Sequence, residues 1–341
     1  MKVEENYSLK NLNTFEIEAK ARFFVEAASE QEIFEALEFA RNKNLEIFVL
    51  GGGSNILLSD AGFEGLVIKN NIAELRITDY GLTVGAGENW DDVVAPAVEK
   101  NLAGIECLSG VPGTAGGAVV QNIGAYGQTL SDAVSEVHVI EAASGRSKIF
   151  GKQECEFEYR NSIFKRKPGK YIVTKVILML NMGTAPNTSY PHVKKHFEKK
   201  PNPTLADVRQ FIIKLRASKG YLIMPGYESY KTAGSFFKNP IVSREQFEPL
   251  KPLLGDASLN RFWEVPNGMK IAVAFLMEQA GFQKGYREGS VGISPKHSLS
   301  LVNFDGAKAS EVKALADKIK LAVSEKFGVK LEEEILLVGK F

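Results

Sequence analysis

Seven glycines fall between residues 104 and 127, at positions 104, 110, 113, 116, 117, 124 and 127. A helix or strand holds such a density poorly, because each glycine loses more backbone freedom on folding and offers no side chain to pack. The stretch therefore reads as a loop-rich region whose backbone must approach something closely. Val111, Pro112 and Gly113, then Gly116 and Gly117, then Asn122, Gly124, Ala125 and Tyr126 keep it apolar and almost uncharged. Small residues there let a large flat group lie against the main chain. Another glycine loop, the first in chain order, follows a short apolar strand at residues 46–50 and contains Gly51, Gly52, Gly53, Ser54 and Asn55. Its consecutive amides form either a tight turn or a nest for a pyrophosphate. Two such loops fit one extended ligand with a diphosphate and a flat ring, whereas a phosphate alone needs only one.

The usual fingerprints for such a ligand are missing. No G-x-G-x-x-G occurs, and Ile56-Leu-Leu58 after the first loop reads as extended rather than helical, so the Rossmann context is absent. None of the three Gly-Lys pairs is followed by Ser or Thr, which removes the P-loop. His138, His192, His196 and His297 form no H-E-x-x-H and no Cys/His cluster, so no metal is expected. No G-x-S-x-G elbow is present either.

A chain of 341 residues, 44% hydrophobic, can bury the cores of two or three domains. Its net charge of +1 gives no bulk attraction to nucleic acid or to anionic membranes, and neither is expected as a partner. Cys107 and Cys155 read as reduced, partly buried thiols. The first residues lack an apolar signal core, and the most apolar stretch, residues 171–182, is too short to span a bilayer, so a cytoplasmic protein is expected.

Periodicity predicts strands at residues 22–27, 46–50, 65–69, 82–86, 134–141, 171–180 and 329–338. Ser144-Gly145 is expected to turn the chain between the strands at 134–141 and 171–180. Helices are predicted after the capping box Ser29-x-x-Glu32, at 89–101, at 204–218 behind Thr204, after Ser243-x-x-Gln246, at 271–280 and at 310–327. Pro186, Pro191, Pro201 and Pro203 make residues 184–203 an irregular connection, with the charged segment 193–200 as a solvated helical face. A change of region falls near Lys219.

In order and spacing, Asn13-Thr-Phe15, Gly51-Gly-Gly-Ser-Asn55, Val111-Pro-Gly113, Gln121-Asn-Ile-Gly-Ala-Tyr-Gly127, Tyr159-Arg-Asn-Ser-Ile-Phe-Lys165 and Gly234-Ser-Phe-Phe-Lys-Asn-Pro240 resemble the UDP-N-acetylenolpyruvoylglucosamine reductase family over residues 11–338. Tyr190 and the connection around it resemble the larger, type I form. The resemblance implies an α+β protein with a p-cresol methylhydroxylase-type FAD-binding fold. Two α+β subdomains (residues 1–70 with 328–341, and 71–218) would hold FAD, and a third α+β domain (219–327) would bind substrate. It implies that NADPH, as co-substrate, reduces FAD, which then reduces the enolpyruvyl ether of a UDP-sugar to UDP-N-acetylmuramate for peptidoglycan precursor synthesis.

The resemblance also assigns residues. The two glycine loops and Arg160 would hold the cofactor. Arg160 and Glu334 would steady negative charge on the substrate carboxylate, and Ser235 would donate the proton. Tyr126, Tyr190, Lys219, Asn239 and Lys270 would contact substrate. By residues alone Arg160 competes with Lys165, Arg166 and Lys167, and Glu334 with Glu332 and Glu333. Strand alternation at 329–338 would put Glu332 and Glu334 on one face and Glu333 on the other. Some relatives carry arginine two residues after the glutamate, where this chain has Leu336. No histidine lies in or beside either glycine loop, so the FAD is expected to be non-covalent. A monomer is expected.

Overall fold

Burial at two periods builds the first strand–helix–strand unit. In the strand Lys20–Ala27 the side chains of Ala21, Phe23, Phe24, Val25 and Ala27 are buried. The helix Glu30–Asn42 buries Ile33, Ala36, Leu37 and Ala40, the i, i+3, i+4, i+7 stripe of an amphipathic helix. Ser29 caps it by accepting the Glu32 N–H at 3.2 Å, and Glu32 reaches back to the Ala28 N–H at 2.7 Å. The strand Ile47–Leu50 then runs parallel to Phe63–Asn70, which is parallel to Lys20–Ala27; Glu4–Ser8 closes the sheet as an antiparallel edge.

The computed structural model describes residues 1–200, 202–227, 230–256 and 261–341. Pro201 lies outside the described residues. The chain divides into two compact units. The first comprises Met1–Ser8, Lys20–Gly53 and Gly62–Ser218, and the second Leu9–Ala19, Ser54–Ala61 and Lys219–Phe341.

Besides the four-stranded sheet, the first unit contains an antiparallel five-stranded sheet. Its order is Ser147–Gly151, Val134–Glu141, Tyr171–Met179, Gly81–Gly85 and Leu75–Thr78. The strand Ser147–Gly151 was not predicted. Ser144-Gly145 turns the chain into that hairpin strand rather than toward Tyr171–Met179. Four of its five residues are not buried, so its composition carries little apolar signal. Valines and leucines of this sheet share a core with Trp90, Val93, Val94 and Ala97 of the helix Trp90–Glu99.

The glycine-rich stretch is not wholly loop. Ala115–Gln121 is a short helix, with Thr114 Oγ1 accepting the Gly117 N–H at 3.4 Å. Glycine is tolerated there because packing demands it. A Cβ on Gly116 would lie 2.9 Å from the Ala86 Cβ, and its amide donates to the Ala86 carbonyl at 2.9 Å.

The second unit is organised by the helix Ala309–Phe327, whose Val312, Leu315, Ala316, Ile319 and Val323 are buried. The Asp60 carboxylate accepts the N–H groups of Ala309 at 2.6 Å and Ser310 at 3.0 Å, the arrangement that suits a helix start. Gly328 at φ +67° ends the helix. Two three-stranded antiparallel sheets pack nearby in sequence: Ile241–Val242, Gly268–Ile271 and Phe262–Val265, then Arg287–Glu288, Val291–Ile293 and Leu301–Asn303.

The predicted final strand is a correction. Only Leu336–Val338 forms ladder pairs, parallel to Ile56–Leu58. Before it Glu333 makes only an isolated bridge, opposite Phe237, and the chain bends at residues 334–335, so the run 329–335 is not a continuous strand. The alternation argument for Glu332, Glu333 and Glu334 falls with it. Among the described residues no helix is long and apolar enough to cross a membrane.

Candidate functional site

The two glycine loops, some sixty residues apart in sequence, meet inside the first unit. A Cβ added to Gly52 would lie 2.6 Å from the Gly113 Cα, closer than any side chain allows. Main chain lies on main chain here, and the Thr114 side chain stands against Gly51, its Oγ1 2.7 Å from where a Cβ would be. Lys69, on the strand Phe63–Asn70, braces the first loop by donating its Nζ to the Gly51 carbonyl at 2.6 Å. Burial pushes the Lys69 pKa down, with Glu26 opposing. The sequence reading missed this lysine. Replacing it with methionine keeps the stem and removes a charge-assisted hydrogen bond, which is worth about 1.5–3 kcal/mol. Lys69→Met is expected to lower the Tm by about 3–10 °C in calorimetry. An unchanged Tm would mean that the bond contributes nothing net.

The amides of Gly116 and Gly117 are committed to Ala86 and Thr114, so neither is a donor to a ligand; Gly116 is buried against Ala86, and Gly117 is exposed. Val111 likewise donates its N–H to the Leu108 carbonyl at 3.3 Å. Pro112 has no N–H to give.

Arg160 is fastened to the end of the same stretch. Its Nη2 donates to the Gly124 carbonyl at 2.6 Å, and its Cζ lies 5.6 Å from the centre of the Tyr159 ring. A Cβ at Gly124 would sit 3.0 Å from its Nη1. Asn122, at φ +48°, donates Nδ2 to the Glu158 carbonyl at 2.8 Å and accepts the Ser131 N–H at 3.1 Å. Lys165, one of the rival cations, is engaged with Gln121 Oε1 at 2.6 Å, and Arg166 with Glu156. Arg160 itself adopts φ +54°, a left-handed backbone that costs a non-glycine residue about 1–2 kcal/mol. Such strain is often retained at functional positions.

Tyr126 and Tyr190 are brought together, edge to face, with centroids 5.4 Å apart. Burial raises the Tyr190 pKa. Ala125 lies in the two-residue strand Gly124–Ala125, paired with Gln128–Thr129.

In the second unit the chain holds Ser235 from both sides. Gly234 takes φ +74°, a left-handed turn suited to glycine. Phe236 and Phe237 are fully buried with ring centroids 5.2 Å apart. The Phe236 N–H donates to the Leu299 carbonyl at 2.8 Å, while the Phe236 carbonyl accepts the Glu334 N–H at 2.8 Å. Lys238 donates to the Glu332 carbonyl at 3.0 Å. The stretch bearing Glu334 is thus laid alongside the Ser235 turn.

The three neighbouring glutamates separate by partner. Glu332 pairs with Lys238 at 3.3 Å and Glu333 with Lys320 at 2.8 Å. The Glu334 carbonyl accepts Asn55 Nδ2 at 3.4 Å, and Leu336 donates to the Asn55 carbonyl at 3.0 Å. Asn55 therefore serves the C-terminal stretch. Leu336 is partly exposed on its short strand.

The Asn13-Thr-Phe15 motif proves structural. Asn13 ties together Leu9 and Ile17, Thr14 Oγ1 donates to the Thr232 carbonyl at 2.6 Å, and the Phe15 carbonyl accepts Asn303 Nδ2 at 2.8 Å.

Asn239 and Lys270 sit on backbone stretches that pair with each other, through Ile241 opposite Lys270 and the Ile271 N–H on the Pro240 carbonyl at 2.9 Å. Asn239 Oδ1 caps the Val273 N–H at 3.0 Å, so its contact with a ligand falls to Nδ2. Burial, and then the charge of the neighbouring Lys284, push the Lys219 pKa down.

Both cysteines are buried, and burial pushes the Cys155 thiol up to about 12. Among the described residues no group of three His, Cys, Asp or Glu could hold a metal ion.

A model of the UDP-N-acetylenolpyruvoylglucosamine reductase C-terminal domain matches residues 226–338, and one of an FAD binding domain matches residues 21–150. Over 341 aligned residues the chain is 37% identical to the UDP-N-acetylenolpyruvoylglucosamine reductase of Pseudomonas aeruginosa, with 98% of each chain covered. The chain belongs to this reductase family. The enzyme of the same name from Thermobifida fusca is 36% identical, covering 98% of this chain and 97% of that one. A crystal structure of the reductase (MurB) from Thermus caldophilus matches with a TM-score of 0.69 and 25% identity, over 99% of this chain and 100% of the other. The fold is accordingly the α+β FAD-binding fold of p-cresol methylhydroxylase type, followed by the C-terminal domain of this reductase family.

Proposed function

We propose that Ser235, Arg160 and Glu334 carry the chemistry of this chain's reaction. The chain is an FAD-dependent oxidoreductase that uses NADPH to reduce UDP-N-acetylenolpyruvoylglucosamine in peptidoglycan precursor synthesis. The product, UDP-N-acetylmuramate, differs from the substrate by two hydrogens. The single observation that carries the role of Ser235 is the stretch 332–334 laid along the Ser235 turn, which brings a carboxylate-bearing residue beside a partly exposed hydroxyl on a rigid aromatic base.

FAD, when bound, supplies the redox chemistry, passing to the alkene the electron pair it takes from NADPH. Gly51, Gly52, Gly53 and Gly113 would hold it, since a side chain at Gly52 would collide with the Gly113 main chain and part the two loops. The amides of the first loop would meet the pyrophosphate. Reduction adds a hydride equivalent to the terminal CH2 of the enolpyruvyl group, and negative charge spreads from the adjacent carbon into the carboxylate. Arg160 grips that carboxylate through its planar fork, a contact a lysine cannot copy. Glu334 polarises the substrate carboxylate. Ser235 Oγ–H gives its proton to the ether-bearing carbon, whose enediolate-like charge is basic enough to take it.

Lys219 meets the diphosphate, with Tyr126, Tyr190, Asn239 Nδ2 and Lys270 as further substrate contacts. Lys219→Met is expected to raise the KM for the UDP-sugar about tenfold with kcat nearly unchanged, as loss of uniform binding requires. A fall in kcat at saturating substrate would contradict that assignment. Tyr190 and the connection at 184–203 support the type I form, and the chain is taken to act as a cytoplasmic monomer.

The test of the function is chemical. Enzyme, NADPH and the enolpyruvyl sugar are incubated without oxygen, and the product is weighed by mass spectrometry. A gain of two hydrogens per NADPH consumed is expected. NADPH oxidation only in the presence of oxygen, with the sugar unchanged, would instead indicate an oxidase on the same fold.

A further inference from the structure

The second glycine loop is clamped at a peptide that belongs to none of the motifs above. Gly110, just before Val111-Pro112-Gly113, has both of its polar backbone atoms held by charged side chains. Its N–H donates to Asp91 Oδ1 at 2.6 Å, and its carbonyl accepts Arg216 Nε at 3.1 Å. Asp91 is gripped in turn by both terminal nitrogens of Arg209, at 2.7 Å and 2.8 Å. Arg209 and Arg216 are seven residues apart on the helix Leu205–Ser218, which places them two turns apart on one face.

Trp90, next to Asp91, completes the hold. Its N–H donates to the Gly113 carbonyl at 2.9 Å and its indole Nε1 to the Leu108 carbonyl at 3.2 Å. The segment from Leu108 to Gly113 is therefore tied at four points, two of them through charges. Its far end is the Gly113 whose Cα meets Gly52. A bidentate carboxylate–guanidinium pair fixes direction as well as distance. A charge pair placed on one loop peptide, half-buried, does more than join two helices.

We propose that the Asp91–Arg209 pair, together with Arg216, is a positioning device that fixes the Gly110 peptide and so sets the second glycine loop at the spacing from Gly52 that FAD requires. The proposal rests on the reading that FAD lies against these two loops. The three residues position the loop and do not themselves react.

The test uses the full chain stripped of FAD. Its dissociation constant for added FAD is measured by fluorescence, and its Tm is measured with and without FAD. Asp91→Ala, which removes both the Gly110 acceptor and the pair, is expected to weaken FAD about 10–100-fold. Asp91→Asn keeps an acceptor for the Gly110 N–H and is expected to recover most of that loss. Arg209→Lys keeps the cation but not the fork, and is expected to weaken FAD about 3–10-fold with little change in the Tm of the apoprotein. It also decides the matter if Asp91→Ala does not fold.

A shrunken Tm gain on adding FAD in Asp91→Ala and Arg209→Lys, restored in Asp91→Asn, is the result that supports the device. Wild-type FAD affinity in Arg209→Lys and Asp91→Ala, whatever their apoprotein Tm, overturns it, because the pair would then staple only the fold. Failure of the wild-type apoprotein to take up FAD would overturn the loop reading itself and the device with it.

Discussion

Ser235→Ala leaves the flavin reducible by NADPH at the wild-type rate and slows its reoxidation by the enolpyruvyl sugar by about 10²–10⁴-fold, the usual worth of a positioned general acid. The asymmetry is the point. Proton donation to the ether-bearing carbon belongs to the substrate half of the reaction, and NADPH oxidation needs no such proton. The variant is also structurally mild. Ser235 lies between Gly234 at φ +74° and the buried Phe236–Phe237 pair, and these hold the turn whichever small residue stands at 235. Rapid-mixing absorbance at the flavin band reads the two halves separately. Equal losses in both halves would make Ser235 a structural residue of an aromatic turn.

The second large effect is expected at Arg160. Arg160→Lys retains the positive charge and the φ +54° backbone, so the comparison isolates the guanidinium head. A lysine cannot hold a carboxylate through two parallel N–H groups while also reaching the Gly124 carbonyl that Nη2 meets at 2.6 Å. Charge developing on the substrate carboxylate then loses a preorganised partner. Loss of such a donor typically costs about 10²–10³ in rate. The fall should appear in the substrate half-reaction at saturating UDP-sugar. A change in KM alone would mean that Arg160 binds substrate without favouring the transition state.

What the sequence made legible follows from how each residue works. Gly51, Gly52 and Gly113 act through their lack of a side chain, and a cluster of glycines is visible at a glance. The helix Glu30–Asn42 announces itself through Ser29, Glu32 and four buried positions at helical spacing. Lys69, Asp91 and Arg209 act through polar bonds to partners 18, 19 and 118 residues away, so no local pattern marks them. The run Leu331-Glu-Glu-Glu-Ile335 misled because its composition fits a strand. Its three glutamates are sorted by long-range partners, Lys238 for Glu332, Lys320 for Glu333 and the Phe236 carbonyl for the Glu334 amide, and that sorting is invisible before folding. Asn13-Thr-Phe15 was legible as a motif but not as a brace for the bend at Thr232.

The central claim is that one FAD passes electrons from NADPH to an enolpyruvyl ether in two separable steps. The most direct test is a sequential anaerobic mixing experiment on the wild-type holoenzyme. One equivalent of NADPH should bleach the flavin, and the later addition of UDP-N-acetylenolpyruvoylglucosamine alone should restore its absorbance and yield UDP-N-acetylmuramate in equal amount. A bleached flavin that the sugar does not reoxidise, and that recovers only when oxygen is admitted, would contradict the account.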